Sequence, residues 1–153
     1  NTTVRVYEDS SLACQKIGDE IIDQINQKGA NKPFVLGLST GSTPIKIYQH
    51  LIQAYQEGKV SFANVHSFNL DEYFPMEPDS IHSYVEFMHK NFFDHIDMPK
   101  ENIHIPDGTI APDEIDHYCK SYEESIQSLG GIDIQLLGLH WRGCACDISG
   151  LPR

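Results

Sequence analysis

The sequence predicts an α/β fold, an open and mainly parallel sheet with flanking helices. Three observations carry this. Short apolar runs alternate with amphipathic segments of helical period along the chain. The connections are long enough for crossover helices, which implies right-handed parallel units. The stretch Val35 to Pro44, VLGLSTGSTP, passes from an apolar run through a Gly/Ser/Thr-rich turn into a helix start.

Each element follows from its local pattern. Thr3 to Tyr7 alternates apolar and polar residues and predicts a first strand. Ser10 or Ser11 caps a helix whose stripe is Ala13, Ile17, Ile21 and Ile25, and Gly29 ends it. Phe34 to Leu38 is continuously apolar, as a strand buried on both faces is. A helix follows with Ile45, Tyr48, Ile52 and Tyr55 on one face and Gly58 near its end. Val65 to Phe68 is the third strand. Ser80 or His82 begins a helix carrying Tyr84, Phe87, Met88 and Phe92. Asn102 to Ile105 is the fourth strand. Pro112 opens a helix to about Leu129, closed by Gly130 and Gly131, and Ile132 to Leu137 is the fifth strand. The order then breaks. Residues 139–153 complete a stretch reading GLHWRGCACDISGLPR that follows neither the helical nor the strand period.

Length and composition bound the function. A chain of 153 residues holds one domain with a real core. A formal charge of −11 with no basic run argues against a nucleic-acid partner. No apolar run reaches the length of a membrane span. No signal peptide is visible, and the missing initiator Met makes the start read as trimmed. The four cysteines form no disulfide framework; Cys14 and Cys119 sit in helical patterns and predict buried free thiols, which suits the cytoplasm.

Two features could carry chemistry. In the glycine loop, Gly41 permits close backbone approach to an anion, and Ser42 and Thr43 add hydroxyl donors. Pro44 presets the first helical turn, where free N–H groups and the helix dipole favour phosphate. The loop lacks a Walker lysine and the dinucleotide spacing, which disfavours nucleoside triphosphates and NAD. An ordinary strand-to-helix turn has the same composition. Some thirty residues on, FNLDEYF (Phe68 to Phe74) delivers Asp71 and Glu72 at a strand end. The carboxyl ends of parallel strands line the ligand crevice, so Asp71 is a candidate general base; its competing reading is a capping acid. Glu72, next to it on extended backbone, is expected to point elsewhere. His82, His89, His95, His104 and His117 have no zinc spacing, and His140, Cys144, Cys146 and Asp147 resemble a zinc set only superficially, so no metal site is assigned.

With these residues in hand, the chain resembles the glucosamine-6-phosphate deaminase family. The matching motifs are LGLSTGSTP (Leu36 to Pro44), VSFANVHSFNLDEY (Val60 to Tyr73), HSYVEFMHKNFFDHID (His82 to Asp97) and IDIQLLG (Ile132 to Gly138). The resemblance implies a Rossmann-like fold and a small sugar phosphate as ligand. It implies that Thr40, Gly41, Ser42 and Thr43 hold the phosphate. Asp71 would remove the C2 proton and return it at C1; the resulting ketimine releases ammonia to leave fructose 6-phosphate. Chemistry confined to proton transfers implies no metal or organic cofactor. The parent enzyme is expected to be a homo-oligomer.

The departure from the family is equally specific. After the fifth strand the family continues with a Gly-x-Gly loop, then Gly-His and an Asn-Glu-Pro segment that serve ring opening. No residue after Gly138 matches the ring-opening histidine, and His140 is out of register. Residues 1–138 therefore read as the N-terminal part of a single sugar-phosphate isomerase domain, and 139–153 as an aberrant tail, frameshifted or non-native. A His codon CAT before the Trp codon reads Ile-Gly one base later, as the family pattern requires. The sheet is expected to be truncated, to expose apolar surface, and to be inactive alone. The alternatives are a 6-phosphogluconolactonase-like hydrolase, which Tyr73 and the Tyr84 to Phe93 helix speak against, a non-catalytic sugar-phosphate sensor, and a product without function.

Overall fold

The computed structural model describes residues 3–29 and 32–138. The segment 139–153, with His140, Cys144, Cys146 and Asp147, lies outside these residues.

Four parallel strands form one open sheet in the order β3-β2-β1-β4: β1 Phe34–Leu38, β2 Val65–Asn69, β3 Ile103–His104 and β4 Ile134–Gln135. Phe34 pairs with Val65 and Leu38 with Asn69 across β1 and β2. β4 joins the other side of β1, with Leu36 opposite Ile134. The helices are α1 Ser10–Lys28, α2 Ser42–Gln56, α3 Tyr84–Asn91 and α4 Ile115–Ser128. The expected open, mainly parallel α/β sheet is thus present. The strand order reverses at β1, which makes the loop after β1 the switch point of the sheet.

The main core lies between one sheet face and α1, α2 and α3. Phe34, Leu36, Leu38 and Val65 pack there against Ile21, Ile25, Ile47, Tyr48, Leu51, Met88 and Phe92. The Tyr48 and Phe92 rings stack at 4.9 Å, and Phe62 meets Phe92 edge-on at 5.5 Å. The alternate residues of β2 face α4: Phe68 stacks on His104 at 4.2 Å and meets Tyr122 edge-on at 5.6 Å. The inward stripe of α4 (Ile115, Tyr118, Tyr122, Ile126 and Leu129) is only half-buried.

Several local expectations are corrected. Residues 3–7 form no strand; Val4 and Val6 are 80% and 90% exposed, and Arg5 reaches Glu20 of α1 at 3.3 Å. Alternation alone does not seat a strand on a sheet, and this segment is tied to a helix instead. Asp9, rather than Ser10 or Ser11, caps α1 by accepting the Leu12 N–H at 2.8 Å. The buried face of α1 is Cys14, Gly18, Ile21, Ile22 and Ile25, with Ile17 39% exposed. Gly18 sets this rotation, because a Cβ there would lie 2.5 Å from the His50 ring of α2. α3 begins at Tyr84 behind a Ser83 cap, later than Ser80 or His82. Cys14 is buried as expected, but Cys119 is exposed, since the inward stripe of α4 runs through Tyr118 and Tyr122.

Candidate functional site

The carboxyl ends of β1 and β2 hold the predicted residues. Thr40 follows β1 and is half-buried, whereas Gly41, Ser42 and Thr43 are exposed. Gly41 is the residue before α2, with φ 116 and ψ 175, a conformation that side-chain-bearing residues rarely adopt. α2 starts without a side-chain cap, so its first-turn N–H groups face outward with the dipole behind them. Pro44 stands in that first turn and is buried. The loop is held from behind: the Tyr48 hydroxyl donates to the Ser39 carbonyl, and the Cys14 thiol approaches the Thr43 carbonyl at 3.9 Å.

Asp71 lies two residues beyond β2 and keeps contact with solvent. Leu70 N–H donates to the Leu38 carbonyl at 3.1 Å, which extends the β1–β2 pairing into the site. Nearby atoms desolvate the Asp71 carboxyl enough to raise its pKa above the usual carboxylate range, and the adjacent Glu72 charge adds to this. A raised carboxyl at a strand end suits proton transfer. Tyr84 connects the two halves of the site. Its phenol is pushed up to about 12 by burial first, then by the Tyr73 hydroxyl; the Thr40 hydroxyl acts the other way, and the Asp71 charge raises it further. The Tyr73 and Tyr84 rings lie 4.7 Å apart. Thr40, Asp71, Tyr73 and Tyr84 therefore form one cluster at the mouth of the sheet.

Glu72 is engaged at the first turn of α3. Its carboxylate accepts from Tyr84 N–H at 2.9 Å and from Val85 N–H at 3.2 Å. The capping acid of this loop is thus Glu72. Ser83 takes the Glu86 N–H at 3.0 Å. The sequence did carry a signal for the latter, since Ser83-Tyr84-Val85-Glu86 has the capping-box spacing. Deeper in, Asn69 is 2% exposed, and neither its amide oxygen nor its amide nitrogen has a partner among the described residues. The Tyr122 hydroxyl reaches the carbonyls of Asn69 at 2.9 Å and His104 at 3.1 Å, tying the ends of β2 and β3 to α4. Among the described residues no cluster of three or more His, Cys, Asp or Glu could hold a metal ion. No helix among them is long and apolar enough to cross a membrane.

Comparisons with known proteins give the family and the fold. A family model described as glucosamine-6-phosphate isomerases/6-phosphogluconolactonase matches residues 8–140. A glucosamine-6-phosphate deaminase from a Thermoanaerobacter species is 47% identical over 137 residues, which cover 90% of this chain and 51% of that protein. A solved structure described as a monomeric glucosamine-6-phosphate deaminase superposes with a TM-score of 0.83 at 36% identity, covering 91% of this chain and 56% of that one. A 6-phosphogluconolactonase from Thermotoga maritima shares the fold at 24% identity and a TM-score of 0.69, covering 92% and 61% of the two chains. The chain spans about half the length of the curated relatives it matches.

Proposed function

Because the chain belongs to the glucosamine-6-phosphate isomerase/6-phosphogluconolactonase family, we propose that its site binds an amino-sugar 6-phosphate and moves a proton between C2 and C1, the step that precedes loss of ammonia. Thr40, Gly41, Ser42 and Thr43 hold the phosphate through first-turn N–H groups and hydroxyls. Asp71 takes the C2 proton and returns it at C1. The observation that carries this reading is the cluster itself: a carboxyl with a raised pKa, at the end of β2, joined through Tyr84 to Thr40 of the glycine loop.

Residues 1–138 are, on this reading, the N-terminal part of one domain, and the ring-opening groups belong to the part of the relatives that this chain does not span. The chain alone binds substrate but does not release ammonia at an ordinary enzymatic rate. The free thiols of Cys14 and Cys119 suit a reducing compartment such as the cytoplasm. The parent is expected to be a homo-oligomer, whereas a solved deaminase relative is described as monomeric. The family description also names 6-phosphogluconolactonase, but the curated relatives at 45–52% identity are named for the amino-sugar phosphate, and the solved lactonase at 24% identity shares the fold alone.

An NMR titration with glucosamine 6-phosphate tests the binding half. Amide shifts are expected at Thr40 to Thr43 and around Asp71, and a null titration there removes the phosphate seat. Solvent deuterium entering C2 of the sugar tests the chemical half. Asp71→Asn is expected to keep the phosphate shifts and to slow that exchange by about 10²–10⁴-fold. Unchanged exchange in the variant would remove Asp71 from the base role.

A further inference from the structure

The residue beside the proposed base is engaged more heavily than the base itself. Glu72 accepts three different backbone N–H groups: Tyr73 at 2.9 Å, Tyr84 at 2.9 Å and Val85 at 3.2 Å. Tyr84 and Val85 open α3, where N–H groups have no intrahelical partner. A carboxylate there gains from charge-assisted hydrogen bonding and from the helix dipole. With Ser83 on Glu86 N–H, two side chains supply acceptors to three consecutive donors. The chain between Glu72 and Tyr84 is a loop without helix or strand, so this carboxylate is a direct tie from the end of β2 to α3.

We propose that Glu72 is a positioning residue: by fastening the end of β2 to the first turn of α3, it holds Asp71 beside Tyr84 and Thr40. This rests on the reading of Asp71 as the proton-transferring group. The fastening has an electrostatic side. A carboxylate fixed one residue from Asp71 disfavours ionisation of Asp71, adding to the desolvation of that site. The titratable groups bearing on Asp71 are Glu72 on its own strand end and Tyr84 on α3, with Tyr73 against Tyr84. The Tyr84 phenol, pushed up to about 12, stays neutral near neutral pH, so Glu72 is the charge that matters. A capping carboxylate held out of reach of Asp71 would stabilise α3 and leave the Asp71 titration where it was.

Three variants of this chain separate the roles, read by NMR titration of the Asp71 carboxyl carbon and by amide exchange. Glu72→Gln keeps an oxygen acceptor and removes the charge; it is expected to lower the Asp71 pKa. Glu72→Ala is expected in addition to speed exchange at Tyr84 and Val85 by about tenfold. Ser83→Ala, which uncaps the same helix without touching Asp71, is expected to speed exchange at Glu86 and leave the Asp71 titration unchanged. Identical Asp71 titrations in the parent chain and Glu72→Gln would overturn the proposal, as would unchanged exchange in Glu72→Ala. Should Glu72→Ala not fold, Glu72→Gln still decides. Neither readout involves a sugar, so loss of the base assignment, seen as unchanged deuterium exchange in Asp71→Asn, stays distinct from loss of the Glu72 role.

Discussion

A carboxyl whose pKa is raised on folding works against the fold once it ionises. Between the usual carboxylate value and the raised one, the folded chain binds more protons than the unfolded chain, so stability falls as pH rises through that window. Asp71→Asn is therefore expected to raise the melting temperature at neutral pH, and the gain should vanish as the pH drops below the usual carboxylate value. A variant equally stable at all pH values would show that Asp71 is not desolvated. His66 and His104 have the opposite sign. Their rings lie 6.0 Å apart on the α4 face, burial lowers the pKa of both, and His66 lowers that of His104 further. The unfolded chain then takes up protons that the folded chain refuses, so stability is lost as the pH falls through the ordinary histidine value of 6.5. Denaturation midpoints measured across that window should flatten in His104→Gln. The place of Asp71 at a strand end could be read from FNLDEYF, a short run that closes on paired carboxylates. The role of Glu72 could not, because its donor partners lie twelve and thirteen residues away across a loop with no period.

At the scale of elements, α4 is fastened to the sheet by a phenol. Tyr122→Phe keeps the ring against Phe68 and removes the hydroxyl shared by the Asn69 and His104 carbonyls; it is expected to cost about 1 kcal/mol in chemical denaturation. No loss would mean that water serves those carbonyls equally well. The elements that were legible were those whose pattern contained their own reason. Phe34 to Leu38 is buried on both faces and reads so; Pro112 and Gly130 bracket the last helix, although its first turn is 3₁₀. The rotation of α1 was not legible. Ala13, Ile17, Ile21 and Ile25 make the better hydrophobic stripe, yet the contact is decided by the close approach of His50 to Gly18, a property of two helices together. Thr3 to Tyr7 failed for a related reason: alternation alone does not choose a partner strand.

Over the whole molecule, large apolar side chains stay exposed at the carboxyl end of the sheet as well as before α1. Leu70, Tyr73, Phe74 and Ile81, between 41% and 83% exposed, cluster in sequence around the mouth of the site, and Leu137 beyond β4 is 64% exposed. A hydrophobic dye should brighten on binding the chain, and Ile81→Ser should weaken that signal; a dark dye would mean that these side chains cover one another. The glycine loop and Asp71 were readable because one short segment each carries them. The joining of β4 to β1 was not, since it depends on partners far apart in the chain. Asp133 is the clearest case: its carboxylate meets Lys28 at 2.5 Å and accepts the Val35 N–H at 2.8 Å, while its own N–H donates to the Val35 carbonyl at 2.8 Å. During synthesis on the ribosome, β1 therefore emerges about a hundred residues before the group that seals its open side. Arrested nascent chains released from the exit tunnel short of Asp133 should leave β1 open to protease or to a chaperone, and slightly longer ones should protect it.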